Sequence, residues 1–204
     1  MEQIDRSVGI LKNPLAELNK VKSEQISKDY LTKQYVAILA LIPAVAYIIG
    51  NGFVGLNMGP LGSFKFPIGT AVVGGVLTYI LSVAGFYVTG LVINALAPNF
   101  ASKQNEKQAM KLAAYSYTPV LLGGIFNIIP MLGVIGLLFS LYGLYILYLG
   151  IPVLMETPKD QALTYTIVIV VAMMVIYFVM GSITAAITLS MSPVPGMMGS
   201  IPYR

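Results

Sequence analysis

Residues 163–189 read LTYTIVIVVAMMVIYFVMGSITAAITL, an apolar run that contains no Asp, Glu, Lys or Arg. About 20 residues of this character form a helix long enough to cross the hydrocarbon core of a bilayer. Four further runs have no charged residue in their central part, namely Gln34–Phe53, Ile68–Ala97, Ala109–Ile129 and Leu132–Met155. The sequence therefore predicts an all-α polytopic integral membrane protein, a bundle of five transmembrane helices.

The composition agrees with a membrane protein and excludes several kinds of chemistry. Hydrophobic residues make up 57% of the 204 residues and charged residues 10%, whereas soluble domains average about 25% charged residues. The chain has no Cys and no His, which excludes disulfides and Ser-His or Cys-His catalysis. We expect no enzymatic activity, no cofactor and no nucleic-acid partner. The expected partners are the lipid bilayer, a second copy in a homo-oligomer, or other membrane proteins.

The positions of Lys and Arg predict the orientation in the cell membrane. Ten of the twelve such residues lie before the first run, around the second-to-third connection, or between the fourth and fifth runs. Cytoplasmic segments are enriched in these residues, so the N-terminus is predicted inside and the C-terminus outside. The predicted organisation is a cytoplasmic amphipathic segment (1–33), a five-helix transmembrane domain (34–192) and a short outer tail (193–204). The charged Glu2, Asp5 and Arg6 do not suit a cleavable signal peptide.

A short amphipathic helix is predicted within residues 1–33. Asn13 suits the N-cap and Pro14 the first helical position, and Glu24 and Lys28 have the spacing of a helical ion pair. At helical periodicity an apolar side opposes a charged one, with Leu11, Leu15, Leu18, Val21 and Ile26 against Lys12, Glu17, Lys20 and Glu24. This helix could lie on the inner leaflet, bind a partner, or pack against the ends of the bundle.

Small residues recur at seven-residue spacing within the runs. Gly136, Gly143 and Gly150 follow this spacing in the fourth run, and Gly75 and Ser82 follow it in the second. Small residues permit close approach of helices in lipid, so these positions form a candidate helix-association face. The face could join copies of the protein or pack helices within one chain.

Tyrosines and hydroxyl residues fall at two predicted depths. Counting about 1.5 Å per residue places a candidate polar interior cluster near mid-membrane, formed by Tyr47, Tyr79, Tyr142, Thr78 and Ser140. It could line a path for a small solute or serve as interhelical hydrogen bonds. The same counting predicts an aromatic belt at the inner interface, formed by Tyr35, Tyr115, Tyr117, Tyr148 and Tyr165.

Three stretches resemble the Yip1 domain family, in its prokaryotic branch. They are YSYTP at 115–119, IPMLG at 129–133 and LYGLYILYLGIPVLM at 141–155. The family-like motif is carried by Tyr115, Tyr117, Thr118 and Pro119. The resemblance implies a five-span protein with a cytoplasmic N-terminus. Eukaryotic members bind Rab GTPases and shape membranes, but this chain lacks their Asp-Leu-Tyr-Gly-Pro motif.

Two functions remain open at this point. The first is a non-enzymatic membrane scaffold or organiser that acts through lateral helix association and cytoplasmic contacts. The second is a passive channel or facilitator for a small solute or ion, because hydroxyls and backbone carbonyls can line a pore without buried charges.

Overall fold

The computed structural model describes residues 2–57 and 63–190, so the predicted outer tail lies outside the described residues. Within these ranges the chain is helical at most positions. The helices are α1 (Glu2–Lys12), α2 (Pro14–Ser23), α3 (Tyr30–Val54), α4 (Ile68–Leu96), α5 (Glu106–Gly123), α6 (Gly133–Leu154) and α7 (Lys159–Ser190). Two antiparallel two-residue strands, β1 (Leu56–Asn57) and β2 (Ser63–Phe64), pair between α3 and α4.

Short non-α segments extend several helices. The π-helical stretches Tyr30–Val36 and Ile49–Val54 form the two ends of α3. Single 3₁₀ segments follow α4 (Ala97–Phe100) and α5 (Gly124–Ile128), and another precedes α6 (Pro130–Leu132).

Four helices in the described part of the chain are long and apolar enough to cross a membrane. They are Tyr30–Val54, Ile68–Phe100, Pro130–Leu154 and Lys159–Thr188, and they correspond to the first, second, fourth and fifth predicted spans. The helical membrane architecture is therefore confirmed. The helix at the predicted third span, α5, is not among the four, because Glu106, Lys107 and Lys111 in its first two turns make its 18 residues too polar.

The centre of the bundle is α5. All eight residues from Ala109 to Ser116 are buried, so this part of the helix has no exposed face. The surrounding contacts come from α4, α6, α3, α1 and α2. A helix enclosed on every side tolerates only side chains whose polar groups find partners in the protein.

The glycine stripe of α6 is covered by α5 within the chain. A Cβ placed on Gly143 would lie 2.7 Å from the Ser116 carbonyl oxygen, and one on Gly150 would lie 2.4 Å from Leu112 Cδ1. Gly136 lies more loosely against the Gly123 carbonyl, at 3.7 Å. These pairings run in opposite chain directions, so α5 and α6 form an antiparallel helical hairpin.

Small residues also bring α3 and α4 together. A Cβ on Gly75 would lie 2.3 Å from Ile48 Cγ1 and 2.9 Å from the Ala44 carbonyl oxygen. Ser82, on the same helix, is buried and donates its hydroxyl proton to the Thr78 carbonyl at 2.7 Å. Both candidate association sets therefore pack helices of one chain against each other.

We expect Gly143→Ala to destabilise the fold by about 1–3 kcal/mol, because the added methyl would press on the Ser116 backbone. The matched control is Gly181→Ala, where nothing lies within 4 Å of the new Cβ. That change should be neutral or stabilising by up to about 1 kcal/mol through helix propensity. Thermal unfolding of both variants in one detergent measures the difference. Equal midpoints would contradict the close α5–α6 contact.

Candidate functional site

The first two helices form a hairpin that packs against the bundle. We call α1 and α2 together the N-terminal hairpin. Arg6 of α1 donates to Glu17 Oε2 at 3.1 Å and to both carboxylate oxygens of Glu24 at 2.9 Å. The Arg6 side chain is only 14% exposed, so water competes weakly for these bonds. The charges of Arg6, Glu17 and Glu24 therefore bind each other across the hairpin. Because Glu24 binds Arg6 and Lys28 binds Glu106, the predicted Glu24–Lys28 pair is wrong.

A chain of buried hydroxyls joins the N-terminal hairpin to the bundle. Ser7 Oγ lies 3.2 Å from the Tyr35 hydroxyl, which lies 2.8 Å from Thr118 Oγ1. Thr118 in turn donates to the Ala114 carbonyl at 3.0 Å. The chain links α1, α3 and α5 at one level. Buried hydroxyls that are satisfied in this way fix the relative positions of the helices that carry them.

The C-terminal end of α2 is bound by a buried ammonium group. Lys111 of α5 is 3% exposed, and its Nζ donates to the Val21 carbonyl at 2.9 Å and to the Glu24 carbonyl at 2.7 Å. One turn earlier, Gln108 Nε2 donates to the Lys22 carbonyl at 3.0 Å. The last carbonyls of a helix lack intrahelical partners and carry partial negative charge. Lys111 therefore serves as a cationic cap supplied by another helix.

Three lysines form ion pairs at the end of the bundle that contacts the N-terminal hairpin. We call this end, which includes Lys22, Lys28, Lys103, Glu106 and Glu156, the charged end. Glu156, between α6 and α7, lies 3.1 Å from Lys22 Nζ and 3.7 Å from Lys103 Nζ. The hydrogen bond from Lys22 and the charge of Lys103 lower the pKa of the Glu156 carboxyl. Lys28 pairs with Glu106 at the start of α5. Exposed pairs of this kind contribute little stability singly, and of the three only Lys22–Glu156 joins the hairpin to the bundle.

The family-like motif lies where these contacts meet. Tyr115 is 1% exposed and meets the Tyr35 ring edge-on, with centroids 5.3 Å apart. Thr118 belongs to the hydroxyl chain, and Pro119 is buried within α5. Tyr117 points to the other side of α5, toward Ser82 and Tyr177. The motif therefore contributes to two different helix contacts.

The predicted aromatic belt is wrong for three of its five tyrosines. Tyr35, Tyr115 and Tyr165 are at most 1% exposed, whereas Tyr148 is 40% exposed. The Tyr165 hydroxyl donates to the Ile93 carbonyl. Residue counting misplaces these side chains, because it gives a depth and does not show that the three tyrosines are buried against neighbouring helices.

The structure does not bring the predicted polar cluster together. Tyr142 donates to the Leu11 carbonyl of the hairpin at 2.7 Å, and the Tyr47 ring packs on Gly74. Thr78 and Ser140 donate to carbonyls four residues earlier in their own helices. These side chains were predicted to share a depth, but the partners of Tyr142, Thr78 and Ser140 lie in different helices.

The structure forms a different group of hydroxyls, and its contact between Tyr117 and Tyr177 was not predicted from the sequence. Tyr117 of α5 and Tyr177 of α7 lie beside each other, with Ser82 and Thr89 of α4 next to them. They adjoin a groove between α6 and α7, about 550 Å³ in volume, which we call the α6–α7 groove. Its lining is mainly aliphatic. The two tyrosines are 60 residues apart, and no spacing rule connects them.

We expect Lys111→Met to loosen the N-terminal hairpin. The Val21 and Glu24 carbonyls lose a charged donor, and hydrogen bonds to charged groups contribute about 1.5–3 kcal/mol. Trypsin cleavage after Lys20 and Lys22 should therefore become much faster in the folded protein. Lys107→Met, at an exposed position of the same helix, is the control and should leave the rate unchanged. Equal rates in both variants would show that Lys111 does not hold α2.

Four long apolar helices around a buried fifth helix define a polytopic helical membrane protein. The Yip1 domain family model matches residues 8–181, and the chain belongs to that family. The recognition from the sequence stretches is thus confirmed. The match begins within α1 and ends within α7.

Two curated relatives agree with this assignment. The inner membrane protein YohC of Escherichia coli K12 is 26% identical over 161 residues, which cover 78% of this chain and 83% of the relative. YohC of Escherichia coli O6:H1 matches with the same identity and coverage. No solved structure matches. The relatives support a multi-pass protein of the cell membrane, and their name refers to no enzymatic activity.

Proposed function

We propose that this protein is a non-enzymatic membrane scaffold with five crossings, whose rigid charged end presents its contact surface in the cytoplasm. One observation carries the proposal. Within the described residues, α3 packs closely against α4 and against the 3₁₀ segment that follows α5. A Cβ on Gly50 would lie 2.0 Å from the Asn127 carbonyl oxygen, and one on Gly124 would lie 2.5 Å from Pro43 Cβ. Gly75 meets Ile48 in the same way, so close contacts join α3 to both α4 and this segment.

The fifth crossing is proposed from the α5–α6 hairpin. If α6 crosses the bilayer, α5 crosses with it, because the two helices contact each other from Gly123 to Leu112. The charged residues in the first turns of α5 do not oppose this, since Glu106 and Lys111 bind residues of the N-terminal segment. Five crossings place the N-terminal hairpin and Lys103, Lys107 and Lys159 on one side, which the positive-inside rule assigns to the cytoplasm.

The charged end favours the scaffold proposal, because its side chains are exposed and its backbone is held in place. The side chains of Asp29 and Lys33 are 82% and 74% exposed, and Lys20 is 63% exposed. The backbone beneath is held by Arg6, Lys111 and the hydroxyl chain. A rigid surface binds a partner with little loss of conformational entropy.

Labelling of single cysteines tests the crossings without background, because the chain has no Cys. Met131, at the tip of the α5–α6 hairpin, is 65% exposed. Met131→Cys should react with an impermeant maleimide added outside intact cells. Lys103→Cys, at the charged end, should react only after the membrane is opened. Reaction of both variants from the same side would rule out a crossing by α5.

Flux through reconstituted liposomes separates the scaffold from the channel. We expect release of ions and small neutral solutes at the rate of empty liposomes, because α3 packs closely against α4 and against the segment after α5. An amine cross-linker, which reaches the exposed lysines of the charged end, should yield discrete oligomers in the same vesicles. Selective flux that is lost in Tyr79→Phe or Tyr142→Phe would support the channel instead. Absence of both flux and oligomers would contradict a self-associating scaffold.

A further inference from the structure

The α6–α7 groove has a buried floor and an exposed rim. Its floor includes Leu147, Ile169 and Met173, which are at most 7% exposed. Its rim includes Leu137 and Met174, which are 62% and 58% exposed. The groove thus opens sideways between two candidate membrane spans, and its mouth is continuous with the lipid-facing surface of both helices.

We propose that the groove is a binding site for one acyl chain of a membrane lipid. The volume of about 550 Å³ lies within the range of about 300–1,000 Å³ that is typical of small-molecule sites. Two turns of a helix about 10 Å across would fill roughly 850 Å³. A helix from a second copy could therefore rest on the mouth but could not occupy the groove, whereas a narrow chain can reach its floor.

The polar groups of the groove do not require a polar ligand. Thr89 donates to the Gly85 carbonyl at 2.7 Å, and Ser140 donates to the Gly136 carbonyl at 3.1 Å. Ser116 donates to the Ala113 carbonyl at 3.2 Å. Each of these hydroxyl protons is used within its own helix. The occupant that the groove favours is therefore hydrocarbon rather than a headgroup.

An acyl chain in the groove would also contact the side chains of α6 and α7 that do not touch each other across it. Apolar side chains that face a void lose dispersion contacts on one side, and cavities in a core are destabilising. Hydrocarbon lies directly outside the mouth, where Leu138 and Phe178 are 64% and 77% exposed. The acyl chain would thus join α6 to α7 as a structural component.

Photolabelling with a phosphatidylcholine that carries a diazirine in its tail tests the proposal in lipid nanodiscs. The expected result is carbene insertion at the buried Met173 as well as at the outward-facing Phe178. Leu144→Trp at the rim should narrow the mouth and lower the Met173 to Phe178 labelling ratio several-fold. Val170→Phe, from the opposite wall, should act in the same way. Leu138→Trp, outside the groove on the same helix, should leave the ratio unchanged.

Three results would overturn the proposal. Labelling of Phe178 without Met173 in the unaltered protein would mean that no tail enters the groove. An unchanged ratio in both Leu144→Trp and Val170→Phe would mean that the label reaches Met173 by another route. Disulfide-linked dimers of Leu144→Cys in high yield, with Met173 left unlabelled, would show that a second copy covers the mouth and excludes the tail.

Discussion

The ammonium group of Lys111 lies inside the protein, and a buried charge is tolerated only where hydrogen bonds replace water. Its partners are the Val21 and Glu24 carbonyls at the end of α2. Those carbonyls need donors just as the ammonium needs acceptors. The N-terminal hairpin and the central helix therefore satisfy each other. Removal of the hairpin would take away the acceptors of the Lys111 ammonium and uncover the apolar side chains around it, so the hairpin belongs to the fold and is not an appended segment.

Four of the five predicted spans correspond to candidate spans in the structure, and they could be predicted because they depend on run length and charge alone. The N-cap at Asn13 could also be predicted, since its side chain accepts a bond from the nearby Ala16 amide at 3.3 Å. The helix α1 could not, because Arg6 finds its partners 11 and 18 residues away. The groupings of tyrosines failed for a related reason. Residue counting gives depth, but the direction of a side chain around the bundle depends on tertiary packing.

The position of the family-like motif indicates a physical role for the residues that resemble the family. Tyr115 and Thr118 face the N-terminal hairpin and α3, while Tyr117 faces α4 and α7. A few neighbouring residues of the central helix therefore touch most of the bundle. This placement favours a structural role for the motif, and it agrees with a scaffold whose surfaces lie elsewhere on the molecule.

The two sides of α5 impose different degrees of order on the helices around it. Toward the hairpin, ion pairs and buried hydroxyls fix the chain. Toward α7, the contacts are made by aliphatic side chains and by the pair of Tyr117 and Tyr177, and α7 is the least buried of the four candidate spans. Apolar contacts are not directional, so lipid can replace protein there without leaving a polar group unpaired. A change in lipid would therefore act on the packing of α7 while the charged end keeps its shape.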